Sequence, residues 1–182
     1  MMSCVKAFRS GSNMSTDGAV YRSSRKAGCG GLIRDQDGCW VRGFKKRIGI
    51  TSPLTVELWG IFYGLSLAWN IQASRVEIES DSINIIKYLN KEASNELEDN
   101  HVMKKIKELI SRDWEISFSF IPSKLNRCVD YLAKESLSAS WNLDILDSPP
   151  CCIRKDQEET SERAKETTGS GKLDNQTAGQ RA

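Results

Sequence analysis

Four carboxylates stand at positions where a helix–sheet fold can gather them. They are Asp17 in Ser-Thr-Asp-Gly-Ala, Glu57 in Thr-Val-Glu-Leu-Trp-Gly, Asp81 in Glu-Ile-Glu-Ser-Asp-Ser, and Asp130 in Asn-Arg-Cys-Val-Asp-Tyr-Leu-Ala. Converging carboxylates repel one another unless cations neutralise them, and hard divalent ions such as Mg²⁺ take oxygen ligands and retain water. Two such ions roughly 3.5–4 Å apart activate a water and stabilise a leaving oxygen in phosphodiester cleavage. The pattern therefore points first to a metal-dependent nuclease. Each acid also has an ordinary reading. Asp17-Gly18 suits a turn, Asp81-Ser82 a helix cap, and Glu57 and Asp130 suit the first turn of a helix, where the dipole favours negative charge.

The elements that must position them follow from periodicity. Residues 1–13 mix Ser, Gly and basic residues and read as a loose leader; Met14–Val20 is a short strand. Arg22 to Lys26 reads as a polar turn. Cys29–Arg34 and Cys39–Phe44 flank Asp-Gln-Asp-Gly, a hairpin signal. Pro53 precedes a helix over about Thr55–Ile71, with Leu58, Ile61, Phe62, Leu65 and Trp69 at helical spacing. Arg75–Ser80 alternates as a half-buried strand, and Ser82 caps a helix running to Asn90. A polar loop at Asn95–Asn100 leads to a helix spanning Val102 to Ile110. Trp114 to Phe120 alternates as a strand, and Cys128–Ser138 is the last helix. Strands in a hairpin followed by crossover units imply an α/β fold with a mixed sheet. On the Glu57 helix, Gly60, Gly64 and Ala68 share a face with the carboxylate. Glycine inside a helix costs roughly 0.5–1 kcal/mol against alanine, so this face needs a close approach to the sheet in compensation.

Composition bounds the rest. The 182 residues suit one domain, read here as 14–143, and a tail over 144–182 too poor in large apolar residues to fold. Residues 1–143 hold 20 Lys/Arg against 16 Asp/Glu, and 144–182 hold 6 against 8. A domain that sets four acids aside for a site has an otherwise basic surface, which is compatible with nucleic acid. No run reaches the ~18 apolar residues of a membrane span, and no signal-type apolar core opens the chain. The expectation is a monomer inside the cell, nuclear or cytoplasmic, with six reduced cysteines. Cys29 and Cys39 could meet across the hairpin, but no Cys-x-x-Cys pairing supports a bridge. His101 is the only histidine, leaving little from which to build a zinc site or a Ser-His-Asp triad.

Taken together, Thr-Asp-Gly-Ala, Gly-Gly-Leu-Ile-Arg-Asp-Gln-Asp-Gly-Cys-Trp, Glu-Leu-Trp-Gly-Ile-Phe-Tyr-Gly-Leu, Val-Glu-Ile-Glu-Ser-Asp-Ser and Asn-Arg-Cys-Val-Asp-Tyr-Leu-Ala resemble the type 1 ribonuclease H domain. More narrowly, they resemble its plant branch related to non-LTR retroelement reverse transcriptases. The resemblance covers about Ser15 to Ser138. It implies a five-stranded mixed sheet flanked by helices, and Mg²⁺-dependent cleavage of the RNA strand of RNA–DNA hybrids. Asp17, Glu57, Asp81 and Asp130 would be the catalytic acids, binding two Mg²⁺, with Mn²⁺ a possible substitute. The other reading is a catalytically weak nucleic-acid-binding module derived from a retroelement.

Several features depart from the family pattern. Phe120 stands where family enzymes carry a histidine, and its phase with Trp114, Ile116 and Phe118 also suits the core. Met14-Ser15-Thr16 is a thin apolar lead into Asp17. Pro53-Leu54-Thr55-Val56 offers no amide side chain to read RNA 2′-hydroxyls before the Glu. Arg42/Lys45-Lys46-Arg47 and Lys104-Lys105/Lys107 either touch phosphates or form solvated faces, Trp40 either stacks or packs, and Trp59 suits the core.

Overall fold

The computed structural model describes residues 11–90, 97, 100–122 and 126–150. The chain divides after Ser148, and of the second unit only Pro149 and Pro150 are described. Most of the expected leader, part of the loop before Asn100 and residues 151–182 of the expected tail lie outside the described residues.

The first unit runs β1 (Ser12–Val20), β2 (Lys26–Arg34), β3 (Trp40–Ile50), α1 (Pro53–Asn70), β4 (Arg75–Ser80), α2 (Ile83–Leu89), α3 (His101–Ile110), β5 (Glu115–Phe120), α4 (Arg127–Ser136) and β6 (Leu143–Leu146). The sheet order is β5-β4-β1-β2-β3-β6. Strands β5, β4 and β1 run parallel, while β1, β2, β3 and β6 pair antiparallel. This is the mixed α/β sheet that the element order implies, with β1 at its centre.

Six strands replace the expected five. The added one, β6, falls at the start of the segment read as tail and adds to the edge of β3, pairing Lys46 with Leu143 and Gly43 with Leu146. Strand β3 is also longer than expected. Its run Lys45-Lys46-Arg47 sits half-buried within the ladder, Lys45 and Lys46 between two partner strands. The thin lead into Asp17 proves to be a nine-residue strand, with Ser12, Ser15 and Thr16 buried beside Met14. Flanking strands on both sides hold it, and the Ser15 hydroxyl donates to Glu79 at 2.6 Å.

Helix α1 starts at Pro53 behind the Ser52 cap, whose hydroxyl accepts from the Thr55 amide. It packs across β1 and β2 over a core that includes Met14, Ile33, Phe44, Ile61, Leu65 and Ile78. Helix α3 lies against α1, and α4 lies on β1, β2 and β3. Among the described residues no helix is long and apolar enough to cross a membrane. Cys29 and Cys39 are free thiols, and Cys29 faces Lys46 across the β2–β3 ladder rather than Cys39.

Candidate metal centre

Asp17 lies past the point where β1 stops pairing with β4, since the last parallel partners are Ser15 and Glu79. The Gly18 amide donates to its Oδ1 at 2.8 Å. Gly18 is what lets α1 come this close. A Cβ there would stand 2.7 Å from Val56 Cγ1, 3.0 Å from the Glu57 amide nitrogen and 3.2 Å from Glu57 Cδ. The expected small-residue face of α1 also meets β1. A Cβ at Gly64 would crowd the Met14 thioether, whereas one at Gly60 would lie 3.5 Å from its nearest neighbours, in ordinary contact. The compensating approach is therefore concentrated at Gly18 and Gly64, with Gly60 less constrained.

Glu57 occupies the second turn of α1, whose first turn contains no acidic residue. The dipole effect decays within one turn, so it does not account for Glu57. Asp81 follows β4 directly and is not the cap of α2; Ser82 holds that place, without a side-chain cap bond. Carboxylate oxygens of Asp17, Glu57 and Asp81 all lie within 4.8 Å of one another.

The electrostatic consequence is large. Burial, then the charge of Asp81, pushes the Asp17 carboxyl up to about 7. Burial and the charges of Asp17 and Asp81 push Glu57 up to about 9. Glu57 Oε2 is buried without a hydrogen-bond partner. At neutral pH the cluster thus retains a proton for want of countercharge. A set of hard oxygen donors, one of them buried and unsatisfied, fits a divalent cation.

The fourth acid is placed differently. Asp130 lies in the first turn of α4 and is ion-paired with Lys134 one turn later, at 2.7 Å. Its charge contributes to raising Asp17, but it is not part of the three-carboxylate cluster. Helix α4 itself is seated by Gly30, the cross-strand partner of Asp17. A Cβ there would meet the backbone of Leu132 and Ala133 at 2.6–2.7 Å.

Phe120 pairs with Ser80, the residue before Asp81, and is 47% exposed, so the core reading of this ring is corrected. It ends β5 where the sheet stops being covered. The basic run on β3 is engaged within the protein. Arg42 pairs with Asp147, Lys45 with Glu135, Lys46 donates to the Trp141 carbonyl, and Arg47 stacks on the Trp141 ring. On α3, Lys105 and Lys107 lie over Phe62 and Tyr88. Trp40 and Trp59 are half-buried; Trp59 stacks on Tyr63 and meets His101 edge-on. The residue that sequence reasoning passed over is Asn126, whose buried carboxamide donates to the Thr16 carbonyl at 3.2 Å.

Several known proteins resemble this chain. The family described as reverse transcriptase-like matches residues 15–136. An Arabidopsis thaliana protein that bears the name ribonuclease H is 33% identical over 137 residues, which are 75% of this chain and 22% of that protein. The crystal structure of RNase H1 from the halophilic archaeon Halobacterium salinarum superposes with a TM-score of 0.65 at 22% identity, covering 71% of this chain and 99% of the archaeal one. LC11 RNase H1, solved in complex with an RNA/DNA hybrid, gives 0.62 at 23% identity, covering 69% and 96%. The chain belongs to the reverse transcriptase-like family, and its folded unit is a ribonuclease H domain with a plant relative.

Proposed function

We propose that the protein hydrolyses the RNA strand of RNA–DNA hybrids endonucleolytically, as a monomer, using two Mg²⁺ ions for which Mn²⁺ can substitute. The observation that carries this is the cluster of Asp17, Glu57 and Asp81 oxygens within 4.8 Å, buried enough to hold a proton when no cation is present. Asp17, Glu57 and Asp81 would hold the metal, and Asp130 would complete the ligand set from α4. Bound ions in such a site supply a nucleophilic water at neutral pH and charge stabilisation at the leaving oxygen.

The protein's own residues do the positioning. Gly18 admits α1, so that Glu57 and Asp17 face one centre. The β4 terminus delivers Asp81 to the same place. The Ser52 cap and Pro53 fix the start of α1, and so the turn on which Glu57 projects. Among the described residues His101 is the only imidazole, and it stacks with Trp59 on the α1–α3 side. Proton transfer in this centre therefore falls to the carboxylates and water. The names of the relatives and the hybrid bound to LC11 RNase H1 support the choice of substrate.

The test is cleavage of an end-labelled RNA–DNA hybrid with Mg²⁺ and with chelator. Internal cuts in the RNA strand that require the metal are expected. Hybrid binding without metal-dependent cuts would instead support the weak nucleic-acid-binding module.

A further inference from the structure

The residues immediately before α3 and α4, at the N-cap positions, are both asparagines, and they are used in opposite ways. Asn100 caps α3 in the usual manner, its Oδ1 accepting from the Val102 and Met103 amides. Asn126 occupies the same place before α4 but makes no side-chain cap bond. Asparagine is among the best capping residues, so α4 forgoes a stabilisation its own sequence offers. The Asn126 carboxamide is turned across the fold. It is 4% exposed and donates to the carbonyl of Thr16, the residue before Asp17 and the first beyond the β1–β4 ladder. At the same time its main-chain carbonyl accepts from the Asp130 amide at 3.1 Å and the Val129 amide at 3.2 Å. One residue therefore grips the strand beside Asp17 with its side chain and the helical turn carrying Asp130 with its backbone.

We infer that Asn126 is a positioning residue that sets the place of Asp130 relative to Asp17, and so completes the metal centre from the α4 side. The inference rests on the carboxylate reading above. The seat of α4 on Gly30 fixes how near the helix comes to β2, whereas the Asn126 bond ties the start of that helix to β1. Asp130 is half-buried and paired with Lys134, so nothing else described on its own helix directs it inward.

Two variants test this. Asn126→Ala removes the tether. Asn126→Ser removes it while leaving a residue suited to the helix N-terminus, so that a folded protein is retained. Each is compared with the parent and with Asp130→Asn, alone and combined. The readouts are the Mg²⁺-induced rise in melting temperature without substrate and the Mg²⁺ concentration for half-maximal hybrid cleavage. Loss of a group that orients a ligand typically costs about 10–100-fold in metal affinity. A rise of about ten-fold in half-saturating Mg²⁺ is expected, with the KM for hybrid unchanged. Combined with Asp130→Asn, the Asn126 variants should add no further loss. Unchanged Mg²⁺ response in both variants, or full additivity with Asp130→Asn, would overturn the inference and leave Asn126 a packing residue. If Asp130→Asn itself left Mg²⁺ response and cleavage at parent values, the fault would lie in the assignment of Asp130, and the inference would fall with it.

Discussion

The two sides of the acidic centre are built on different principles. On the β1–α1–β4 side, three half-buried carboxylates are crowded together, and burial and neighbouring charge push two of them, Asp17 and Glu57, towards protonation. On the α4 side, Asp130 is solvated, favoured by its helix dipole and neutralised by Lys134. The first arrangement is costly for the metal-free protein; an exposed i,i+4 pair like the second contributes only about 0.3–0.5 kcal/mol and costs little to break. The lesson is that residues in a common site need not share a cost. Three of these acids are held against their own repulsion, while the fourth is already paired with its lysine.

That contrast is broken most directly by removing charges one at a time. Asp17→Asn, Glu57→Gln and Asp81→Asn should each lower hybrid cleavage by on the order of 10³-fold or more, since charge stabilisation in the reaction is lost. Asp130→Asn should cost only about 10–100-fold. Equal losses at all four positions, measured at saturating Mg²⁺, would erase the distinction between the two sides.

A smaller effect concerns the contact that enforces the crowding. Gly18→Ala places a methyl group against Val56 and the Glu57 backbone, and overpacking of this kind costs roughly 1–3 kcal/mol. Gly60→Ala, on the same helix face with ordinary contact distances, should be neutral or gain up to about 1 kcal/mol from helix propensity. Denaturant melts of the two variants give the comparison, and a Gly18 variant as stable as the parent would show that the approach of α1 has slack.

The contrast also has a signature in pH. Asp17 and Glu57 have folded-state values near 7 and 9, above the ordinary 3.8 and 4.5. The folded state thus binds protons more tightly than the unfolded chain, so stability is fullest below about pH 4 from these groups and falls as pH rises towards 7–9. Metal-free protein should melt lower at pH 8 than at pH 5, and Mg²⁺ should narrow the difference. Asp17→Asn should flatten the metal-free profile, and Asp130→Asn should leave its slope nearly intact.

Much of this was legible in the sequence because it is local and periodic. The α1 stripe, the alternation of Val76 and Ile78 and the Asp-Gln-Asp-Gly hairpin announce their elements through spacing alone. What stayed hidden depends on partners far along the chain. Leu143–Leu146 contains too few residues to declare a strand, and it becomes one because β3 offers an edge. Lys45-Lys46-Arg47 resembles a solvated run, yet Lys45 and Lys46 are paired on both sides, Arg47 on one, and the side chains find Glu135 and Trp141. Phe120 keeps the phase of its strand, but it stands at the end, past the cover the core provides. In the site, the acids were readable as types, whereas the separation of three from one was not. That separation depends on Gly18 meeting α1, which no spacing within either element encodes. Asn126 carried no signal of its own in the sequence, and only the fold shows that its carboxamide faces β1.

The strand order has a consequence for synthesis. Within this chain the hairpin of β1 and β2 is made before α1, but β1 acquires its parallel neighbour only after α1 and β4 have been made. Non-local pairings of this sort are slow to form, because loop closure must precede the contacts that reward it. A nascent chain that ends within α1 contains Asp17 and Glu57 but no seat for Asp81, and the helix bearing Asp130 comes fourth of the four helices. Within this chain the three-acid cluster is therefore complete only after β1, β2, β3, α1 and β4 have all been made.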